Sequence, residues 1–140
     1  MAQQERPLSP FMHYRWQYSN GLSILHRLSG VFMSAGFTLL VYWLVALASG
    51  SETYDGALRC FASPLTKLAL FGWLLAFFYH LLNGIRHLGW DMGYGFERAV
   101  ARKTGTLVMV SAVILTVLTW LCITARITAT ASAVATGGVL

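Results

Sequence analysis

The stretch LALFGWLLAFFYHLLNGI, residues 68–85, decides the fold of this chain, because its 18 residues contain His80 as their one ionisable side chain. A helix that crosses a bilayer needs about 20 mostly apolar residues, and this run can extend to about Trp90. Ionisable side chains inside a membrane are costly, so they usually face a protein interior and mark a functional site. Since neutral imidazole also binds metals, the stretch predicts a membrane-embedded metal or haem site.

Two further runs, residues 28–48 and 105–125, each hold 21 residues without a charge. The whole chain of 140 residues is 56% hydrophobic and 11% charged, whereas soluble domains average about 45–50% apolar and about 25% charged residues. A soluble domain of this size could not bury so much apolar surface in one core. The composition therefore predicts an all-α membrane protein with three transmembrane helices.

The net charge of +5 indicates the orientation of the chain in the membrane and not nucleic-acid binding, because of where the basic residues lie. Basic residues cluster before the first span and between the second and third spans: Arg6, Arg15, Arg27, Arg86, Arg98, Arg102 and Lys103. Cytoplasmic loops are enriched in Lys and Arg. We therefore expect the N-terminus on the cytoplasmic side and, after three spans, the C-terminus on the opposite side.

Helix-breaking residues divide the chain into segments. Pro64 suits the first turn of the second helix, and Gly93 and Gly95 are expected to end it. The predicted organisation is a cytoplasmic segment 1–20, helices at about 21–48, 64–91 and 104–126 joined by an outer loop 49–63 and a short connector, and a non-cytoplasmic tail 127–140. Terminal segments of this kind are often poorly ordered.

Two polar clusters are expected at the same depth. The first helix begins on the cytoplasmic side and the second ends there, so their polar residues should converge: Ser23, His26 and Arg27 with Arg86, His87 and Asp91. His87 and Asp91 are one helical turn apart, and we expect them to pair with each other, with Arg27 or with Arg86 as a supporting polar cluster.

Helical spacing assigns different roles to the two histidines of the second span. His80 and His87 are about 700° apart in rotation, so they share a face and are separated by about 10.5 Å along the axis. They cannot bind one iron from opposite sides. His13 and His26 are the other histidines, and both are expected outside the apolar depth of a span. A second axial histidine is most simply supplied by a partner subunit.

The helical spacing of three other residues predicts contacts with a small molecule. Ser23 and Arg27 lie at i and i+4, so a hydroxyl and a cation that point the same way could hold a quinone carbonyl or a haem propionate. Gly84 lies one turn beyond His80, where a glycine lets a flat porphyrin approach closely. The alternatives are an arginine that reaches the lipid headgroups, a glycine at a helix–helix contact, and a His80 that only bonds to another helix.

These residues form motifs that resemble a known family. The motifs are RPLSP (6–10), YRW (14–16), SILHRLSG (23–30) and HLLNGIRHLGWD (80–91). At these separations they are similar to the cytochrome b membrane-anchor subunits of succinate dehydrogenase (respiratory complex II), over roughly residues 5–125. The family commonly has a histidine directly after RPLSP, whereas Phe11 and Met12 stand here and His13 is a possible substitute.

The resemblance implies a helical bundle that binds haem b together with a second small anchor subunit. It implies that His80 is an axial ligand of the haem iron, that Ser23 and Arg27 border a ubiquinone site, and that His26 and Arg27 lie near a haem propionate. It also implies an iron–sulfur subunit, a flavoprotein subunit that oxidises succinate, and a bacterial-type inner membrane. By itself the chain would not be a complete enzyme.

Three alternatives remain open at this point. The chain could anchor a quinol:fumarate reductase, which works in the opposite direction. It could be a haem-free structural anchor whose histidines only connect helices. It could also be a small proton-coupled transporter, which would function without soluble partner proteins.

Overall fold

A computed structural model describes residues 16–137 of the chain. In this part of the chain the structure is helical, with α1 at Tyr18–Ala48, α2 at Ser51–Ala62, α3 at Pro64–Asp91 and α4 at Arg98–Ala135. Three of these helices, α1, α3 and α4, are long and apolar enough to cross a membrane. The predicted fold class is confirmed. His13 and the motifs before residue 16 lie outside the described residues.

The start of α3 agrees with its prediction. Ser63 occupies the N-cap, where its side-chain oxygen accepts a hydrogen bond from the backbone N–H of Thr66 at 3.1 Å, and Pro64 follows in the first turn. Both features suit a helix start, because the first backbone N–H groups lack partners within the helix. The helix ends at Asp91, and Gly93 and Gly95 then adopt φ values of 88° and 81°. Glycine is favoured at such angles because it has no Cβ.

Two expectations about the segments outside the three spans were wrong. Residues 49–63 are not a plain loop, because Ser51–Ala62 forms α2. Its apolar residues recur with a helical period at Tyr54, Ala57, Leu58 and Phe61, and Ala57 is fully buried. The tail after residue 126 was expected to be poorly ordered, but α4 continues to Ala135. Alanine favours helix and no glycine or proline interrupts this segment before Gly137.

The three long helices form an antiparallel bundle in which α3 contacts both α1 and α4. His26 of α1 lies against His87 near the end of α3, whereas the Phe37 ring of α1 contacts Trp73 near its start. Arg86 similarly contacts the first turns of α4. The cytoplasmic-side ends expected from the sequence therefore meet at one end of the bundle.

The packed core is small and lies at the same end as the polar residues. Leu22, Tyr79, Val108 and Ala112 are buried together, and most other apolar side chains face outward, as with Val31 at 71% exposure. Outward apolar side chains suit lipid or a neighbouring subunit, and small residues let membrane helices approach. Gly105 of α4 is such a residue, since a Cβ atom there would collide with Leu22.

Replacing Gly105 with alanine should therefore destabilise the bundle. Forcing extra volume into a packed core typically costs about 1–3 kcal/mol, and here the buried Leu22 side chain and the Tyr18 ring would have to shift. The matched control is Gly89→Ala in α3, where the added Cβ would have no atom within 4 Å. Thermal unfolding of the purified protein should show a lower Tm for Gly105→Ala and no decrease for Gly89→Ala. Equal Tm values for the two variants would contradict the packing argument.

Candidate functional site

Three histidine rings meet between α1 and α3. The His26 ring stacks on the His80 ring, with 4.0 Å between centroids and 14° between planes, and the His26–His87 centroid distance is 5.1 Å. Because His26 contacts both, His80 and His87 share the same face of α3, as their spacing predicts. Of the two polar clusters that were expected to lie at one depth, His26 from the first and His87 from the second are in contact.

The His80 ring is held through one of its two nitrogens. Its Nδ1 atom lies 3.1 Å from Ser29 Oγ and 3.2 Å from the carbonyl oxygen of His26. Both contacts use Nδ1, so Nε2 is left for another partner. A histidine that binds a metal commonly donates its other N–H to a backbone carbonyl, which fixes the tautomer and the direction of the ring. The arrangement around His80 has this form.

His26 lies deeper than the sequence indicated. It was expected outside the apolar depth of a span, but its ring stacks on His80 within the helix pair, so the two share one depth. The two rings are stacked face to face with nearly parallel planes, whereas two ligands of one iron must direct a nitrogen at it from opposite sides. His26 is therefore unsuited to be the second ligand of an iron bound by His80. Its Nδ1 atom is buried and has no hydrogen-bond partner within residues 16–137.

Arg86 connects α3 to α4 rather than to an acidic residue. Its guanidinium donates to Thr104 Oγ1 at 3.1 Å and to the carbonyl oxygen of Ala101 at 2.9 Å, and it lies 4.0 Å from the Trp90 ring centroid. These acceptors and the cation–π contact satisfy the cation without a carboxylate. The predicted pairing of Arg86 with Asp91 is therefore wrong within this chain.

The remaining members of the supporting cluster separate from one another. His87 lies 3.4 Å from the amide of Asn83, measured at Nε2, and its ring contacts Trp90. Asp91 is exposed at the end of α3, and among residues 16–137 its side chain forms no ion pair. Its predicted pairing with His87 or Arg27 is also not found in this part of the chain, and the His87 ring contacts His26 and Trp90 instead.

The residues expected to contact small molecules remain accessible. Ser23 is half-buried and Arg27 is exposed on α1, and neither side chain has a hydrogen-bond partner in the described part of the chain. A Cβ atom at Gly84 would have no atom within 4 Å, so the surface of α3 is open one turn beyond His80. Within residues 16–137, no three His, Cys, Asp or Glu side chains are arranged to hold one metal ion, and this includes the three histidines that are in contact. A metal bound at His80 would need ligands from elsewhere.

Three residues of the site were not predicted from the sequence. Ser29 contacts His80, Asn83 is fully buried between Arg86 and His87, and Gly30 leaves room for the His80 ring. The sequence carried a signal for Asn83, because it lies three and four residues from Arg86 and His87, the spacing of neighbours on a helix. Ser29 and Gly30 are recognisable only once α1 and α3 are placed together.

Comparisons with known proteins agree with this architecture. The family described as "Succinate dehydrogenase/Fumarate reductase transmembrane subunit" matches residues 2–119. The succinate dehydrogenase cytochrome b556 subunit of Rickettsia felis is 42% identical over 118 residues, which cover 83% of this chain and 91% of that protein. The protein of the same name from Paracoccus denitrificans is 38% identical over 115 residues, covering 81% of this chain and 88% of its own length.

A mitochondrial relative is also similar. The human mitochondrial succinate dehydrogenase cytochrome b560 subunit is 35% identical over 112 residues, which cover 78% of this chain and 66% of that protein. The matched region of the family model contains α1, α2, α3 and about half of α4. The histidine cluster lies within it.

Proposed function

Since the chain belongs to the succinate dehydrogenase/fumarate reductase transmembrane subunit family and is a multi-pass membrane protein, we propose that it anchors a succinate dehydrogenase, binds haem b and helps to form a ubiquinone-reduction site. In this proposal His80 is one axial ligand of the haem iron, and Ser23 and Arg27 border the quinone. The observation that carries the proposal is the His80 ring, held at Nδ1 with Nε2 left to bind a metal.

The residues around His80 fit a haem. The open surface at Gly84 lies in nearly the same direction from the α3 axis as His80, so a flat macrocycle could lie against α3 there. When bound, haem b supplies one-electron transfer. The role of this chain is to hold the ligand nitrogen, to keep apolar residues around the site, and to place His26 and Arg27 near the polar end, where haem propionates would lie.

The second axial ligand is expected from a second small membrane-anchor subunit. His80 and His87 project from one face of α3, and the stacked His26 ring cannot lie opposite His80. The outward apolar surfaces of α1, α3 and α4 offer room for such a neighbour. This chain would therefore supply one of the two iron ligands, as expected of one half of a shared haem pocket.

The quinone role of Ser23 and Arg27 is supported by their accessibility. The Ser23 hydroxyl would donate a hydrogen bond to a quinone oxygen, and the Arg27 guanidinium would stabilise the negative charge that develops during reduction. A cation positioned in a low-dielectric site is an effective device for this purpose. Since Arg27 is exposed in this chain, a partner subunit would complete the site and exclude water from it.

The charge distribution supports the remaining partners and the orientation. We place the N-terminus and the polar end of the bundle on the cytoplasmic side of a bacterial-type inner membrane, because the basic residues flank that end. An iron–sulfur subunit would dock there and pass electrons to the quinone, and a flavoprotein subunit would oxidise succinate. The relatives compared above are named succinate dehydrogenase subunits, which favours succinate oxidation over fumarate reduction as the working direction.

The proposal is tested by purifying the complex from membranes through a tag on this chain. We expect a flavoprotein, an iron–sulfur protein and a second small membrane protein to co-purify, and a dithionite-reduced minus oxidised spectrum to show b-type haem bands. Absence of those bands would leave a haem-free structural anchor. Absence of both soluble partners would reject the succinate dehydrogenase assignment altogether.

A further inference from the structure

Ser29 is placed to determine which nitrogen of the neutral His80 ring carries the hydrogen. It is buried, with 8% of its surface exposed, and lies one turn after His26 on α1. Its hydroxyl oxygen is 2.7 Å from the carbonyl oxygen of His26 and 3.1 Å from His80 Nδ1. The same carbonyl oxygen is 3.2 Å from His80 Nδ1. Three polar atoms therefore meet at one point between α1 and α3.

The hydrogen positions at this point follow from simple counting. A serine hydroxyl has one hydrogen to donate, and the short contact with the His26 carbonyl uses it. Ser29 Oγ can then meet His80 Nδ1 only as an acceptor. If Nδ1 carried no hydrogen, its lone pair would face the carbonyl oxygen and the serine oxygen, and no hydrogen would lie between Nδ1 and either oxygen. Nδ1 is therefore protonated, and in the neutral ring Nε2 carries the free lone pair.

Gly30 controls the position of the same ring. A Cβ atom at residue 30 would lie 3.1 Å from Cε1 of His80 and 3.6 Å from its Nδ1. Cε1 is bonded to both ring nitrogens, so displacing it would turn Nε2 and lengthen the contacts at Nδ1. A glycine at this position lets α1 approach the imidazole closely.

We propose that Ser29 and Gly30 are positioning residues for His80: Ser29 fixes the tautomer that presents Nε2, and Gly30 fixes the direction in which Nε2 points. This inference rests on the proposed haem function. A hydrogen bond accepted from Nδ1–H makes the imidazole a more basic ligand, and losing such a partner typically weakens metal binding about 10- to 100-fold. A more basic ligand also favours the oxidised iron, so losing the bond should raise the midpoint potential of the haem.

The test compares complexes purified with Ser29→Ala, Ser29→Thr and Gly30→Ala. The matched control is Ser34→Ala, because Ser34 donates a similar bond to a backbone carbonyl of α1, that of Gly30 at 3.0 Å, but is exposed and contacts no histidine. The measurements are the haem-to-flavin ratio and the haem midpoint potential from a redox titration. Neither depends on enzymatic turnover.

We expect Ser29→Ala to raise the midpoint potential and to lower haem retention about 10-fold when the detergent-solubilised complex is challenged with a haem-binding apoprotein. Ser29→Thr retains the hydroxyl and should restore wild-type values, and Ser34→Ala should not change them. Gly30→Ala should alter the potential with the hydroxyl intact, so it tests the inference even where Ser29→Ala does not assemble. A wild-type midpoint potential in both Ser29→Ala and Gly30→Ala would overturn the inference. If Ser29→Ala does not assemble, a wild-type midpoint potential in Gly30→Ala would overturn it.

The inference and the proposed function fail in different ways. A wild-type complex without b-type haem would reject the proposed function and the inference together. A wild-type complex with haem whose properties are insensitive to Ser29 and Gly30 would reject the inference alone.

Discussion

Replacing His80 with leucine should remove the six-coordinate, low-spin signature expected of the proposed haem in the purified complex. Leucine cannot bind iron, and within residues 16–137 the neighbouring imidazole of His26 is stacked 4.0 Å to one side of the lost ring and does not take its place. We expect the electron paramagnetic resonance spectrum of the oxidised complex to change from low-spin to high-spin, with a large change in midpoint potential. Haem held by its other contacts can remain in the complex, so the coordination state is the decisive measurement.

The matched control for this variant is His87→Leu. His87 is on the same face of α3, two turns further along, and its ring also contacts His26. If His80 is the ligand, the complex with His87→Leu should keep a low-spin haem. A low-spin spectrum in the His80 variant and a high-spin spectrum in the His87 variant would move the ligand assignment from one residue to the other.

Removing the Arg27 cation should reduce ubiquinone reduction by about 10²-fold, which is the scale on which removing one preorganised electrostatic contact acts. Succinate oxidation with an artificial electron acceptor should continue at the wild-type rate, because the proposed function assigns that reaction to soluble partner subunits and not to this chain. Arg27→Ala removes the charge, whereas Arg27→Lys keeps it and loses the planar fork of donors. An intermediate rate for the lysine variant would indicate that charge and geometry both contribute.

Ser23→Ala should also slow ubiquinone reduction, and two control substitutions make the result specific. Arg102→Ala removes an exposed cation from the beginning of α4, and Ser19→Ala removes an exposed hydroxyl one turn before Ser23. Both controls should leave ubiquinone reduction unchanged. Wild-type quinone kinetics in the Ser23 and Arg27 variants would remove these residues from the site, even with haem binding intact.

The three long helices could be predicted because each depends on a local property. Residues 68–85 are apolar over a membrane-spanning length, and Pro64, Gly93 and Gly95 punctuate the chain at both ends of α3. The shared face of His80 and His87 follows from helix geometry alone. Helix α2 is different, because its 12 residues are too short and too polar to span a membrane. Its signal is only the spacing of Tyr54, Ala57, Leu58 and Phe61.

The contacts of the candidate site could be predicted only in part. Sequence spacing brings the ends of α1 and α3 to one depth, but the rotation of each helix about its axis depends on packing between helices. That rotation decides that His26 stacks on His80 and that Ser29 reaches Nδ1. It also turns Arg86 toward Thr104 and Ala101 instead of Asp91. Side-chain contacts between helices cannot be derived from residue spacing on one helix.

Helix α4 is long compared with the thickness of the hydrocarbon layer that it would cross. Its 38 residues extend for about 57 Å, whereas the hydrocarbon layer is about 30 Å thick. Tilt alone would have to approach about 60° to absorb the difference, beyond the range of about 0–40° seen for membrane helices. The two ends of the helix must therefore extend beyond the hydrocarbon layer into the headgroup region or the water. Thr130 lies beyond the end of the charge-free run 105–125, so we expect a fluorophore attached there to be quenched by an agent confined to the aqueous phase.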